Sequence, residues 1–198
     1  MGNKFAELAF TDTVKRLQEA DGSRQSYARM EAGVDSNFLL SEREAAFIGM
    51  RDSFYMATVS ETGWPYIQHR GGPAGFVHVL DEKTLGIPDF NGNRQFVSVG
   101  NLRTDDRVSL FFMDYPNRAR LKMLGRIRTT NDPNVLGRFD LPDYKATIER
   151  AFLVDVVAFD WNCPQHITPR FTPEDIESYV APLQNRIATL EAQLAATT

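Results

Sequence analysis

The hydrophobic positions change period near residue 50. Before it the spacing is helical. The segment 11–20 places Val14, Leu17 and Gln18 on one face and stops at Asp21-Gly22. Ser41, followed three residues later by Glu44, reads as a capping box that opens a short helix through Met50. From Ser53 apolar residues alternate with polar ones or run continuously between turn residues. This predicts strands over 53–59, 64–69, 75–80, 84–87, 107–113, 120–128 and 151–161. The joins Glu61-Thr62-Gly63 and Asp81-Glu82-Lys83 suit hairpins. Strands at hairpin spacing predict a mainly β fold, an antiparallel sheet or small barrel with peripheral helices, rather than alternating βαβ units. Nineteen residues separate Ile87 from Arg107, too many for a structureless loop, so a short helix is expected over 93–102. Thr172, Pro173, Glu174 and Asp175 start a last helix, with Phe171 stapled on Ile176. Along it Leu183, Ile187, Leu190 and Leu194 follow heptad spacing. Two heptads are too few for a stable coiled coil alone, so core packing is the expected role of these residues.

No repeat or Gly/Ser linker divides the chain. A single domain is expected over 1–198, with peripheral N-terminal helices over 1–50, a barrel core over 51–171 and a C-terminal helix over 172–196. The composition, 42% hydrophobic and 24% charged, is that of an ordinary globular domain. Cys163 is the one cysteine, which excludes a disulfide framework within the chain and points to a reducing, cytoplasmic compartment. The net charge of −4 offers no global attraction to nucleic acid or an anionic membrane. Lys4, Glu7 and Asp12 interrupt the start before a secretory apolar run can develop. The most apolar stretch, 151–161, carries Asp155 and Asp160, so no membrane span is expected either.

Familiar catalytic loops are absent. There is no phosphate-binding GxxxxGK[ST] and no GxSxG. The glycines of Gly71-Gly72-Pro73-Ala74-Gly75 lead into a strand rather than a helix. Cys163 and His166 form one CxxH pair, and His69 and His78 lie on separate strands, so no metal site is expected. Arg70 in HRGG and Arg94 in FNGNRQ stand beside open backbone, which suits either a phosphate or a surface turn. Arg118, Arg120, Lys122, Arg126 and Arg128 share one side of a strand, with Leu124 interrupting. Such a row is either a solvated outer face or a surface that needs an anion or a partner's carboxylates. In Asp160-Trp161-Asn162-Cys163-Pro164-Gln165-His166 the tryptophan either caps a core or presents a flat ring to a planar ligand.

Taken in order, HRGG, IPDFNGNRQ, DDRVSLFFMDYPNRARLKMLGRIR and FDWNCPQHITPRF resemble the pyridoxamine 5'-phosphate oxidase-like family of FMN-binding split β-barrels, over about residues 42–171. Within it, the chain looks like the pyridoxamine 5'-phosphate oxidase-related branch. The resemblance implies an FMN cofactor and a homodimer with flavin at the subunit interface. A small-molecule electron donor or acceptor would be the further partner. It implies that Arg70 begins the flavin-contacting strand and that Pro88 and Asp89 are cofactor contacts. Asn93, Arg94 and Gln95 match the phosphate-binding turn, with Gln95 in place of a lysine. Arg120, helped by Lys122, falls beside the flavin ring, Trp161 matches a cofactor-site tryptophan and Arg170 a later arginine. A non-catalytic redox-sensing module, or a deazaflavin or haem in the same fold, are the competing readings. Two substrate-phosphate contacts of the true oxidases are missing, a lysine where this chain reads GPAGFV and an Arg-x-His replaced by CPQHITP. No residue is singled out as a catalytic acid or base.

Overall fold

The computed structural model describes every residue except Met1, Val34, Asp35, Asp140, Pro142, Asp143, Asn162, Thr197 and Thr198. Its contacts gather into two compact units, Met1–Met113 with Arg120–Cys163, and Asp114–Ala119 with Pro164–Thr198. The strands are β1 (Ser53–Val59), β2 (Pro65–Gly71), β3 (His78–Asp81), β4 (Thr84–Phe90), β5 (Arg107–Asp114), β6 (Ala119–Thr130) and β7 (Ile148–Trp161). They form one sheet in the order β2-β1-β5-β6-β7-β4-β3. β1 pairs β2 and β5, β4 pairs β3 and β7, and β6 pairs β7, all antiparallel. The mainly β, antiparallel architecture that the alternation predicts is therefore present.

Period-two burial explains the strands. β1 buries Phe54, Met56 and Thr58, and β5 buries Val108, Leu110 and Phe112. The ring of Phe54 stacks on Phe112 at 5.1 Å and on Phe76 at 5.9 Å. Each such side chain contributes roughly 1.5–3 kcal/mol by leaving water. β4 is buried continuously from Leu85 to Pro88. Pro88 fits there because β3 runs out at the His78–Gly86 pair, so its missing N–H deprives no strand on that side.

The sheet also curls. β2 and β4 stand five places apart in strand order, yet Arg70 of β2 donates from Nη1 to Asp89 Oδ1 of β4 at 2.6 Å. Side chains, rather than ladder hydrogen bonds, join the sheet across this gap.

The helices are α1 (Lys4–Ala9), α2 (Asp12–Asp21), α3 (Arg24–Ala32), α4 (Glu42–Gly49), α5 (Val97–Asn101), α6 (Pro133–Leu136) and α7 (Pro173–Ala195). Thr11 caps α2, which ends at Gly22 with φ 79°, a left-handed conformation that glycine adopts without penalty. The Ser41/Glu44 capping box is formed as expected, and Thr172 makes a second with Asp175. Among the described residues, no helix is long and apolar enough to cross a membrane.

Several expectations are corrected. Leu17 is exposed, and Gln18 is the buried residue of α2. The helix expected over 93–102 covers only Val97–Asn101, because Arg94 and Phe96 take left-handed backbone (φ 57° and 56°) that no α-helix accommodates. Arg118 lies in the turn before β6 with φ 52° and does not join the cation row. The rest of that row is met largely within the chain. Lys122 pairs with Asp160 at 2.9 Å, Arg126 with Asp106 at 2.5 Å and Arg128 with Asp155 at 3.8 Å. Core packing of α7 fails altogether, since none of its residues is buried. Phe171 and Ile176 are also exposed.

Gly125 sits where the β6–β7 register shifts. A Cβ there would lie 2.6 Å from Val154 Cγ1 and 3.0 Å from the Asp155 carbonyl. Val154 is fully buried and cannot step aside freely. Gly125→Ala should therefore lower stability by about 1–3 kcal/mol, read as an earlier urea midpoint. An unchanged midpoint would show that this close approach is slack.

Candidate functional site

Alternation along β2 turns Tyr66, Gln68 and Arg70 to one face. They meet the end of β4 at Asp89 and Phe90, the loop from Gly92 to Phe96, the start of α5 and the pair Glu149-Arg150 of β7. Together these enclose a cavity of about 230 Å³.

Asp89 is its electrostatic centre. It lies opposite Arg150 in the β4–β7 register. Its Oδ1 accepts from Arg70 at 2.6 Å, and its Oδ2 stands 3.0 Å from Arg150 Nε, off the line a hydrogen bond requires. Arg150 also donates from Nη2 to Glu149 at 2.9 Å. Arg70 reaches Gln68 Oε1 at 3.3 Å, which accepts in addition from the Ser98 hydroxyl at 2.8 Å. The guanidinium of Arg70 packs 4.6 Å from the Phe152 ring, and that of Arg150 lies 5.6 Å from Phe96. With side chains 11% and 13% exposed, Arg70 and Asp89 form a largely desolvated pair. The Nε atoms of Arg70 and Arg150 are buried without a hydrogen bond.

Arg94 differs from these two arginines. It is exposed, and it makes no hydrogen bond or ion pair with a described residue. Asn93 Oδ1 accepts from the Gln95 N–H at 3.2 Å and so shapes the turn. Three guanidinium groups against the carboxylates of Asp89 and Glu149 leave the cavity with a surplus positive charge. Such a donor set suits an anion with several oxygens.

The structure thus brings together five of the expected residues, Arg70, Asp89, Asn93, Arg94 and Gln95. Pro88 is buried in the sheet and does not line the cavity. Arg120, Lys122 and Trp161 lie outside it too. Trp161 lines a separate hollow with Asn37, Arg43 and Glu44. Its Nε1 donates to Glu44 at 2.7 Å, Phe47 meets its ring edge-on at 4.7 Å and Arg43 covers it at 4.3 Å. These contacts fit the cap of a core. Lys122 is held by Asp160 and the Phe5 ring, whereas Arg120 keeps a buried Nε without a partner. Arg170 belongs to the second compact unit, stacked on Tyr115 at 4.7 Å.

Sequence reasoning missed Tyr66, Gln68, Phe96, Ser98, Glu149 and Arg150. Two of them were within reach, since stepping back by twos from Arg70 along a strand reaches Gln68 and Tyr66. Arg150 becomes visible only once β7 is known to pair with β4.

The family is settled by comparison. Residues 40–176 match the sequence profile of pyridoxamine 5'-phosphate oxidase, and the chain belongs to that family. Among solved structures, an FMN-binding protein from Syntrophomonas wolfei aligns over 73% of this chain and 97% of its own, at 12% identity and a TM-score of 0.50. A Clostridium acetobutylicum protein related to general stress protein 26, of the pyridoxinephosphate oxidase family, covers 72% of this chain and 99% of its own, at 18% identity and a TM-score of 0.46. HupZ of Group A Streptococcus covers 67% and 100%, at 14% identity and a TM-score of 0.48. No curated protein matches the chain. The fold is the split β-barrel expected from the resemblance.

Two outcomes follow from this geometry. Asp89→Asn leaves Arg70 without its carboxylate and Arg150 with Glu149 alone, and should cost on the order of 3 kcal/mol in urea unfolding. A loss below about 0.5 kcal/mol would mean that the bridge is solvated and weak. Glu44 supplies the acid test. Burial pushes its carboxyl up, but hydrogen bonds from Ser41 and Trp161 outweigh this and hold it below the ordinary glutamate value. Its contribution is complete above that ordinary value and is lost as pH falls through the lower folded one. The stability gap between the wild type and Glu44→Gln should therefore narrow on going from about pH 7 to about pH 3. A gap that widens would reverse the sign of this account.

Proposed function

We propose that the chain binds FMN, with the phosphate in the Asp89 cavity, and serves as an FMN-dependent oxidoreductase acting on a small molecule. One observation carries the reading. The residues whose pattern resembles the family's phosphate turn and flavin strand, far apart in sequence, line one cavity that carries surplus positive charge and buried, unused donors. Arg94 makes the main phosphate contact, because it alone of the three arginines has no carboxylate partner among the described residues. Arg70 and Arg150, tied to Asp89, form the charged floor beside it. FMN supplies the electron transfer when bound, and the protein supplies position and charge.

The cavity limits what one chain does. About 230 Å³ is less than the roughly 300–1,000 Å³ of a complete small-molecule pocket, so it suits the phosphate end rather than the whole cofactor. We infer that the ring is walled by a second copy in a homodimer. Of the outlying candidates, Arg120 suits this role best, since its buried Nε lacks a partner while Lys122 and Trp161 are engaged. Cytoplasmic residence fits the lone, exposed Cys163.

The test is spectroscopic. The purified protein should be yellow or should take up added FMN. Arg94→Ala should weaken FMN binding roughly ten- to a hundred-fold while leaving riboflavin binding almost unchanged. Arg94→Lys should fall between, keeping the charge but losing the planar fork. A protein that ignores FMN, or equal losses for both ligands at an unchanged unfolding midpoint, would overturn the assignment. Pyridoxamine phosphate should not be turned over at the usual enzymatic rate of about 1 per second or more, because the lysine and Arg-x-His that grip its phosphate are replaced.

A further inference from the structure

α7 is a helix of 23 residues, about 35 Å long, and none of it is buried. Its apolar residues are ordered nevertheless. Ile176, Val180, Leu183, Ile187, Leu190 and Leu194 recur at steps of four and three, a continuous heptad seam longer than the last four residues alone. Five of them are 45% to 72% exposed. An apolar stripe of this length left in water marks an interaction surface.

The residue types on the stripe specify the partner. With Val180, Ile187 and Leu194 at a and Ile176, Leu183 and Leu190 at d, β-branched residues hold two of the three a positions and leucine two of the three d positions. This distribution favours two parallel strands. The flanking charges agree. Arg186 falls at g and Glu191 at the e position five residues on, which is where a parallel partner's side chain crosses the seam. An antiparallel pair would instead bring the e positions together, with Glu177 and Glu191 among them, and set carboxylates against each other. Pro182 is no obstacle. It falls at c, on the outer side, and the helix runs through it.

We propose that α7 pairs with α7 of a second copy of this chain as a parallel, in-register, two-stranded coiled coil, with Arg186 facing Glu191 of the partner subunit. The pairing is short, so it adds to other contacts between the copies rather than replacing them. It does not depend on a flavin.

Cross-linking of the full chain tests this. In a Cys163→Ser background, Val180→Cys and Leu190→Cys should each form a covalent dimer with themselves under mild oxidation, since facing seam positions meet the Cα separation of a disulfide. Asn185→Cys, on the outer side of the helix, should react at least about tenfold more slowly. Adding Arg186→Glu should slow the Val180→Cys reaction several-fold, and Glu191→Arg in the same chain should restore it. Equal rates at all three positions would overturn the proposal. So would cross-linking that needs Val180→Cys and Leu190→Cys mixed, the signature of antiparallel helices. A colourless protein that passes this test would refute the flavin reading and leave the coiled coil standing.

Discussion

Two arginines can share a largely dry space only if a carboxylate stands between them, and in this fold that carboxylate is Asp89. Arg70 arrives from β2 and Arg150 from β7, and Asp89 reaches both from β4. β2 lies at one edge of the sheet, five strands from β4, so the bridge spans the gap of the split barrel. Fold and site therefore have a common origin. The curl that brings β2 to β4 creates the cavity, and the charges that line the cavity hold the curl. A desolvated pair of this kind stabilises only while both partners are present, because either charge left alone is far costlier than the pair.

Neutralising Arg70 and Arg150 through Asp89 has a consequence for ligand choice. Two guanidinium groups are largely spent on the protein itself, and the surplus charge resides on Arg94, out on a turn with left-handed backbone. Strained backbone of this sort is retained where the surrounding structure demands it, commonly at ligand sites. An arginine without a carboxylate partner among the described residues is suited to a charge brought by something else.

The strands were legible in the sequence because burial on one face leaves a period of two, and the caps of α2, α4 and α7 were legible because Thr11, Ser41 and Thr172 act locally. Arg70, Asp89 and the 93–95 turn were found through order and spacing, and they do share one cavity. Arg150 was not found, since its role exists only through a strand pairing between residues 61 positions apart. The cation row left its two readings open for the same reason. Its carboxylates, Asp106, Asp155 and Asp160, come from neighbouring segments that a single strand's pattern does not show. Trp161 read slightly better as a ligand platform than as a core cap, and the Glu44, Phe47 and Arg43 around it come from a helix that its own segment does not show. In α7 the heptad was visible, but whether it faced a core could be answered only by its exposure in the folded chain.

The central claim is that the Asp89 cavity receives a phosphate through Arg94. A crystal structure of the protein soaked with FMN tests it most directly. The account predicts phosphate density in the cavity bounded by Arg70, Asp89 and Arg150, with oxygens about 2.7–3.0 Å from the Arg94 guanidinium. Flavin bound with its phosphate elsewhere, or Arg94 turned away from it, would contradict the account.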